Sequence, residues 1–584
     1  MKNKGFTLIE LLAVIVILAI IALIAVPIIL NIIDDSKKEA AKVSAQNYFD
    51  AVELAISKKY MKEPNVNLDG TYTISTDGKT LTNGDKVLKV EYEGNSELKI
   101  EYDSTITIQK GQVSNVGNIR VGKLYVTADS GKIVILDKLP TSTLVEGQIF
   151  NEKIKKLANE IQWQFYNPES KIISIQFLSN GTLPQERTLE SLKQLRKIDI
   201  SKKQDGSIIA YNDDGKIYIY SKNLISFDKN CNYMFSGYNS LKNINFGKID
   251  TSQVTNMSSM FSGYSSPTEL DLSEFDTSKV TDMSSMFSGY SSPTELDLSK
   301  LNTSEVTNMS NMFSSYSSPT ELDLSKLNTS KVTNMSWMFS GYSSSIPLNL
   351  SGLTIKDINI NFMFAGYSSS AVLDLSKLNT SSVTNMSEMF VAYSSPATLD
   401  LSKLDTSKVT NMSRMFGGYS SPATLDLSKL NTSKVTNMSS MFSEYNSSAA
   451  LDLSGFDTSN VTNMNEIFRG YSSPATLDLS KLNTSKATDM SGMFAGYSSL
   501  AILDLSKLNT SSVTNMSGMF SEYNGPSTLN LSNFKTSNVE SMDYMFAYSS
   551  TLTSVVVNKN TWITDNANTD GMFEGTQAQL TYVE

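Results

Sequence analysis

LDLSKLNTSEVTNMSNMFSSYSSPTE, residues 296–321, is a unit of 26 residues, and LDLSK begins again at Leu322. The unit recurs along the C-terminal part of the chain. Met-Phe pairs run from Phe235 to Phe573 at a spacing of 26, with one step of 25 (Phe339 to Phe364) and a last step of 27 (Phe546 to Phe573). A fixed period of this size means that each unit buries its apolar residues against its neighbours rather than alone. Leu296 and Leu298 flank Asp297, an alternation that points the leucines inward and the aspartate outward. Val306, Met309, Met312 and Phe313 sit at short-helix spacing, and Thr303 or Ser304 is placed to cap that turn. Each coil is therefore expected to be a short strand, a turn, and a helical or 3₁₀ turn, stacked into a solenoid over residues 231–584.

Several columns repeat with the coil. Asn308, Asn334, Asn385, Asn411 and Asn437 read as an internal ladder bonding the backbone of adjacent coils. The Asn-Met-Ser triplet also fits a glycosylation sequon. A tyrosine column that includes Tyr342 and Tyr367 reads either as a binding stripe or as a half-buried staple along one edge. Outward aspartates (Asp271, Asp297, Asp323, Asp374, Asp400, Asp426) repel at coil spacing unless Lys300, Lys326, Lys377, Lys403 and Lys429, three residues on, offset them. Calcium is the alternative, although the glycine-rich calcium-binding nonapeptide is absent. One column varies freely, the residue before Met-Phe. Trp337 and Phe362 are neighbours in it, beside the short coil, and with Tyr342 and Tyr367 they form a candidate binding patch if that face meets solvent. Otherwise they fill a packing defect.

The unit resembles the BspA-like leucine-rich-repeat surface proteins, over about residues 196–584, with tyrosine where that group usually has cysteine. The resemblance implies a leucine-rich-repeat-type solenoid and a role in adhesion to host matrix or to other bacteria.

Upstream, Ala41, Ala45, Tyr48, Val52 and Ile56 recur at three-to-four spacing and predict a helix that Pro64 ends. As one helix, residues 6–62 would reach roughly 80–90 Å. From residue 71 the period changes to two. Thr71–Ser75, Lys86–Tyr92, Leu98–Tyr102, Thr105–Gln109, Leu124–Thr127 and Lys132–Leu136 read as strands, with turns at Asp77-Gly78, Asn83-Gly84 and Ser130-Gly131. Residues 63–140 are thus expected to form a small antiparallel β domain packed on the helix. Residues 141–230, with a short amphipathic helix from Ile149 to Phe165, are assigned as linker and N-terminal cap of the coils. The fold class expected is multidomain: a long helix with a small antiparallel β domain, then the solenoid.

The chain opens Met-Lys-Asn-Lys-Gly-Phe-Thr-Leu-Ile-Glu, and from Leu11 to Ile33 it carries no charge. A carboxylate at Glu10, inside an apolar helix, is costly unless it has a partner. These residues resemble the type IV prepilin leader and helix. The resemblance implies residues 1–5 as leader, cleavage by a prepilin peptidase between Gly5 and Phe6, and N-methylation of Phe6. It implies that Glu10 meets the α-amino group of a neighbouring pilin subunit and that Pro27 kinks the helix. It also implies that residues 6–33 sit in the cytoplasmic membrane before assembly, with the mature protein in a pilus at the cell surface of a Gram-positive bacterium.

Composition narrows the function further. With 49 basic and 59 acidic residues the chain is acidic, against nucleic-acid binding as its main task. It has no histidine and one cysteine, Cys231, which removes the commonest general base and any intrachain disulfide. No enzyme, cofactor or metal is expected. The C-terminal Ala-Gln-Leu-Thr-Tyr-Val-Glu shows no anchor signal, so attachment is expected at the N-terminus. The function expected is a minor, tip-located pilin acting as an adhesin for a host or bacterial surface ligand. The rival is a minor pilin or pseudopilin that primes filament assembly.

Overall fold

The structure is a computed structural model describing residues 8–75, 77–93, 98–122, 124–129, 132–136, 140–159, 171–184, 186–238, 241–355 and 358–584. Gly5 and Phe6 lie outside the described residues. Glu10 and Pro27 are placed on a helix by their backbone alone. The chain divides into two units. The first runs to Thr141 and takes in residues 180–182 and 221–224. The second holds Ser142–Ser179, Leu183–Tyr220 and Ile225–Glu584.

The first unit is one helix on one sheet. Helix α1 (Leu8–Lys62) buries Ala41, Ala45, Tyr48, Val52 and Ile56, one stripe at helical period. The sheet is antiparallel, in the order β3-β2-β1-β4-β5-β6-β7. The strands are β1 (Gly70–Ile74), β2 (Thr80–Asn83), β3 (Lys86–Lys89), β4 (Leu98–Gln109), β5 (Gln112–Val121), β6 (Leu124–Asp129) and β7 (Lys132–Leu136). Tyr72, Ile106, Ile108 and Ile119 close its core with the helix stripe. Lys110 and Gly111, both at positive φ, form the two-residue loop that pairs Gln109 with Gln112, the hairpin turn that matches strand twist. The two strands expected at 98–102 and 105–109 are one strand, with a register shift between Ile100 and Thr105. Strands β2 and β5 had no counterpart in the sequence reading.

Among the described residues no helix is long and apolar enough to cross a membrane. From Asp34 onward α1 is charged every few positions: Asp34, Asp35, Lys37, Lys38, Glu39, Lys42. This overturns the expected membrane-inserted helix at residues 6–33, and with it the membrane as a partner before assembly and the localisation built on it.

The second unit begins with helix α2 (Gly147–Leu157) and a sheet of five strands: β8 (Ser174–Leu178), β9 (Arg196–Asp199), β10 (Ile209–Asp213), β11 (Lys216–Tyr220) and β12 (Asn243–Asn245). The order is β9-β10-β11-β8-β12. Phe150 of α2 and Phe177 of β8 pack on Phe235, at ring separations of 5.6 and 6.3 Å. Phe235 stacks in turn on Phe261 at 5.5 Å, so α2, β8 and the coils share one core.

The coils stack with the period of the sequence. The Met309 amide donates to the Asn334 carbonyl, Phe313 to Met338, and Thr333 to Thr307, at 2.9–3.0 Å. Phenylalanines stack coil on coil, for example Phe313 on Phe339 at 6.0 Å and Phe390 on Phe416 at 5.8 Å. Yet the expected leucine-rich-repeat solenoid is not what forms. Among the described residues no strand lies between Asp250 and Thr528, and no sheet curls along the coils. Adjacent coils meet instead at isolated parallel bridges, most of them in the asparagine column, such as Asn308 with Asn334 and Asn411 with Asn437. The reason is local. Met-Ser-x-Met-Phe-x-x-Tyr is a run of turns, with amides bonded three residues back at Met312, Ser314 and Tyr316. Two residues of each run sit in the left-handed region, Asn311 (φ 57°) and Ser315 (φ 55°) in this coil. A left-handed residue stops a right-handed helix, so the helical turn expected at Val306–Phe313 does not form either. One 3₁₀ turn, Leu324–Lys326, is described in the coils. Regular pairing returns at the C-terminal end, where β13 (Thr528–Asn530), β14 (Ser554–Asn558) and β15 (Gln579–Val583) run parallel.

Threonine does more than cap a turn. Thr303 Oγ1 donates to the Asn328 carbonyl (3.0 Å) and accepts from the Asn328 amide (2.7 Å), and Thr406 does the same to Asn431 (3.0 and 2.7 Å). These clamps are buried. Thr406→Val keeps the shape and leaves both Asn431 backbone groups unpaired. The expected cost is about 1–3 kcal/mol, read as a shift of the urea midpoint; a shift indistinguishable from zero would show that the clamp contributes nothing.

Candidate functional site, the left-handed column at Trp337 and Phe362

Each coil holds two left-handed positions. The second is filled mainly by glycine: Gly263, Gly289, Gly341, Gly366, Gly418, Gly470 and Gly496 all have φ between 64° and 69°. Glycine is the unstrained choice there. The first is the freely varying column before Met-Phe. Ser259, Ser285, Asn311, Trp337, Phe362, Glu388, Arg414 and Tyr544 all adopt φ between 54° and 61°. Gly492 and Gly518 occupy the same column, so glycine fits. For a bulky side chain this conformation costs on the order of 1–3 kcal/mol. Most residues of the column other than Gly492, Gly518 and Gly571 carry a side chain in this conformation, and Trp337 and Phe362 are among the bulkiest.

Trp337 and Phe362 lie on successive coils and stack face to face, with centroids 3.8 Å apart and planes within 9°. Trp337 is 37 % exposed and Phe362 half-buried. The column continues with Glu388 and Arg414. Burial pushes the Glu388 carboxyl above its usual range, and Arg414 pulls it partly back. Toward the other end stand Asn311, Ser285 and Ser259, all short. Asn311 is half-buried; its backbone amide donates to the Ser336 carbonyl at 2.9 Å, and its side-chain carboxamide stands at the surface of the column.

Tyr342 and Tyr367 do not belong to this patch. Both are fully buried, as is the column from Tyr238 to Tyr523. Their rings stack on each other at 5.6 Å and lie edge-on to Phe339 and Phe364 at 6.4 and 6.2 Å. The tyrosines are core rungs, out of reach of a ligand. The asparagine column also differs in detail from the expectation. Asn308, Asn334, Asn385, Asn411 and Asn437 carry the inter-coil bridges through their backbones. Their side-chain oxygens accept from the amide two residues on, in their own coil, at 3.0–3.1 Å. Asp297 is held the same way: its carboxylate accepts from the Ser299 amide at 2.8 Å. Bonds from Ser299, then the charge of Lys300, hold it below the usual carboxylate range. Among the described residues no group of acidic or cysteine side chains is placed to hold a metal ion. Cys231 is buried, and burial pushes its thiol well above the ordinary value.

Comparison with known proteins gives two matches. Residues 229–350, 358–476 and 471–582 match the family described as "Mycoplasma protein of unknown function, DUF285". Residues 1–26 match a prokaryotic N-terminal methylation motif. The coils thus match DUF285, and the likeness to the BspA-like group has no support from these matches. No curated protein and no solved structure matches the chain.

Proposed function

We propose a function for a chain that belongs to the DUF285 family, whose model covers its coils, and that carries a prokaryotic N-terminal methylation motif: it is a minor subunit of a pilin- or pseudopilin-type filament, and its coils serve as an adhesin. The motif implies processing by a peptidase and assembly with other subunits. We assign the cut between Gly5 and Phe6, methylation to Phe6, and the contact with a neighbouring subunit to Glu10. The second unit extends from Ser142 to Glu584. That bulk on every subunit would crowd a shaft, which favours low copy number and a place at the tip.

One observation carries the adhesin reading: an exposed, stacked Trp337–Phe362 pair kept on a backbone conformation that disfavours both residues. Many weak contacts from coils on one filament add up to firm attachment. The test is a deletion strain scored for filaments by microscopy and for attachment to a panel of matrix proteins, glycans and bacterial cells. Filaments should persist and attachment should fall. Loss of the filaments themselves would overturn the adhesin reading in favour of a subunit that primes assembly.

A further inference from the structure

We propose that the step between Asn311 and Trp337 is a carbohydrate subsite, taking one neutral pyranose ring of an oligosaccharide. The inference rests on the adhesin reading and names its ligand class.

The column has a profile. Ser259, Ser285 and Asn311 are short; Trp337 and Phe362, on the next two coils, are tall. Phe362 covers one face of the indole at 3.8 Å. Asn311, the column's residue on the preceding coil, is too short to cover an indole face. The column thus offers an aromatic wall at Trp337 and, one coil before it, the side-chain carboxamide of Asn311 as a polar floor. The Ser285 hydroxyl, half-buried on the coil beyond, extends the floor with a second neutral polar group.

A pyranose ring has the matching chemistry. Its axial C–H groups make an apolar face that packs on an aromatic plane, and its hydroxyls at the ring edge bond an amide. Aromatic side chains with a few placed polar groups are the usual lining of a small-ligand site. Charge selects against other ligands. On the two coils before Trp337 the column holds neutral Asn311 and Ser285, whereas Glu388 and Arg414 follow Phe362 on the coils after it. Size selects against a folded protein partner. A stable protein interface needs about 800 Å² per side, and two partly buried rings bounded by short polar side chains offer far less apolar surface.

The backbone supplies a clean test. Gly492 and Gly518 show that glycine fits this column, so Trp337→Gly removes the ring without leaving a residue that strains the coil. The probe is an array of immobilised neutral oligosaccharides, read with the full-length chain. Wild type should be retained on at least one. Trp337→Gly should weaken that binding at least tenfold and Asn311→Gly severalfold, both with an unchanged circular dichroism spectrum and no loss of melting temperature. Arg414→Gly should bind as wild type. Glycan binding unaffected by Trp337→Gly would overturn the subsite. Absence of glycan binding, with Trp337-dependent attachment to a matrix protein, would overturn the carbohydrate class and leave the adhesin reading standing. Absence of binding to glycans, proteins and cells alike would overturn both.

Discussion

Replacing Phe390 with alanine should lower the stability of the coils by about 3–5 kcal/mol, the range for emptying a fully buried aromatic site. Phe390 is 0 % exposed. It stacks on Phe364 at 5.7 Å and on Phe416 at 5.8 Å, and meets Tyr393 edge-on at 6.1 Å. Each such pair contributes about 0.5–1.5 kcal/mol beyond area burial, so one substitution breaks three contacts and leaves a cavity that the flanking rings cannot fill. A stacked array couples only to nearest neighbours. The damage should therefore split the array: unfolding in urea, followed by circular dichroism, should change from one transition to two as the coils before and after Phe390 separate. Leu500→Ala, at a site 85 % exposed, is the control and should stay within about 0.5 kcal/mol of wild type. A loss below about 1 kcal/mol at Phe390 would mean that the phenylalanine ladder is not what holds adjacent coils together.

Spacing was legible in the sequence, and backbone conformation was not. The 26-residue recurrence of Leu, Met, Phe and Tyr gives the rows of buried rungs, and the helix stripe from Ala41 to Ile56 faces the first core. The pattern Val306, Met309, Met312, Phe313 fits a helical turn and a run of left-handed turns equally well. Only a glycine advertises the left-handed state, and the first column holds Trp, Phe, Glu and Arg there. Leu-Asp-Leu likewise alternates as a strand would, yet among the described residues no strand forms between Asp250 and Thr528; the bond from the Ser299 amide to the Asp297 carboxylate is not the cause, since Asn530 accepts the same bond from Ser532 and pairs as a strand. Strand β5 was missed because Gly117 and its polar neighbours interrupt the alternation of Val113, Val116, Ile119 and Val121. At the candidate site, Trp337 and Phe362 stood out because they are adjacent aromatics in a column that otherwise holds mostly small or charged residues. Their tyrosine companions were misplaced because an aromatic column looks alike whether it faces solvent or the core. The Thr303 and Thr406 clamps gave no signal, since a threonine beside a serine reads first as a cap.

Raising the pH from 10 to 12 should unfold the coils cooperatively. Burial, chiefly, pushes Tyr290, Tyr342, Tyr393 and Tyr445 up to about 12, and it raises Tyr264, Tyr316, Tyr419, Tyr471 and Tyr497 as well. In the unfolded chain a tyrosine ionises near 10. Between that value and 12 the unfolded chain therefore binds fewer protons than the folded one, and stability falls as pH rises. The contribution is whole below pH 10 and is lost as pH climbs through about 12. Each such rise is a contribution to stability at neutral pH, and several tyrosines in one array together weigh against the few kcal/mol by which a domain is typically stable. The column amplifies the loss. Its rings stack at 5.6–5.9 Å, so a phenolate formed in one coil repels the next as its neighbours open. Phenolate absorbance and circular dichroism should change together in one steep transition above pH 10. Tyr393→Phe is the discriminating variant. The Tyr393 hydroxyl is buried with no hydrogen bond of normal length among the described residues, so its removal should cost little at neutral pH and move the alkaline midpoint upward. Phenolates that titrate near 10 while the circular dichroism holds would instead put the tyrosine column in contact with solvent, and would reopen it as a surface that ligands can reach.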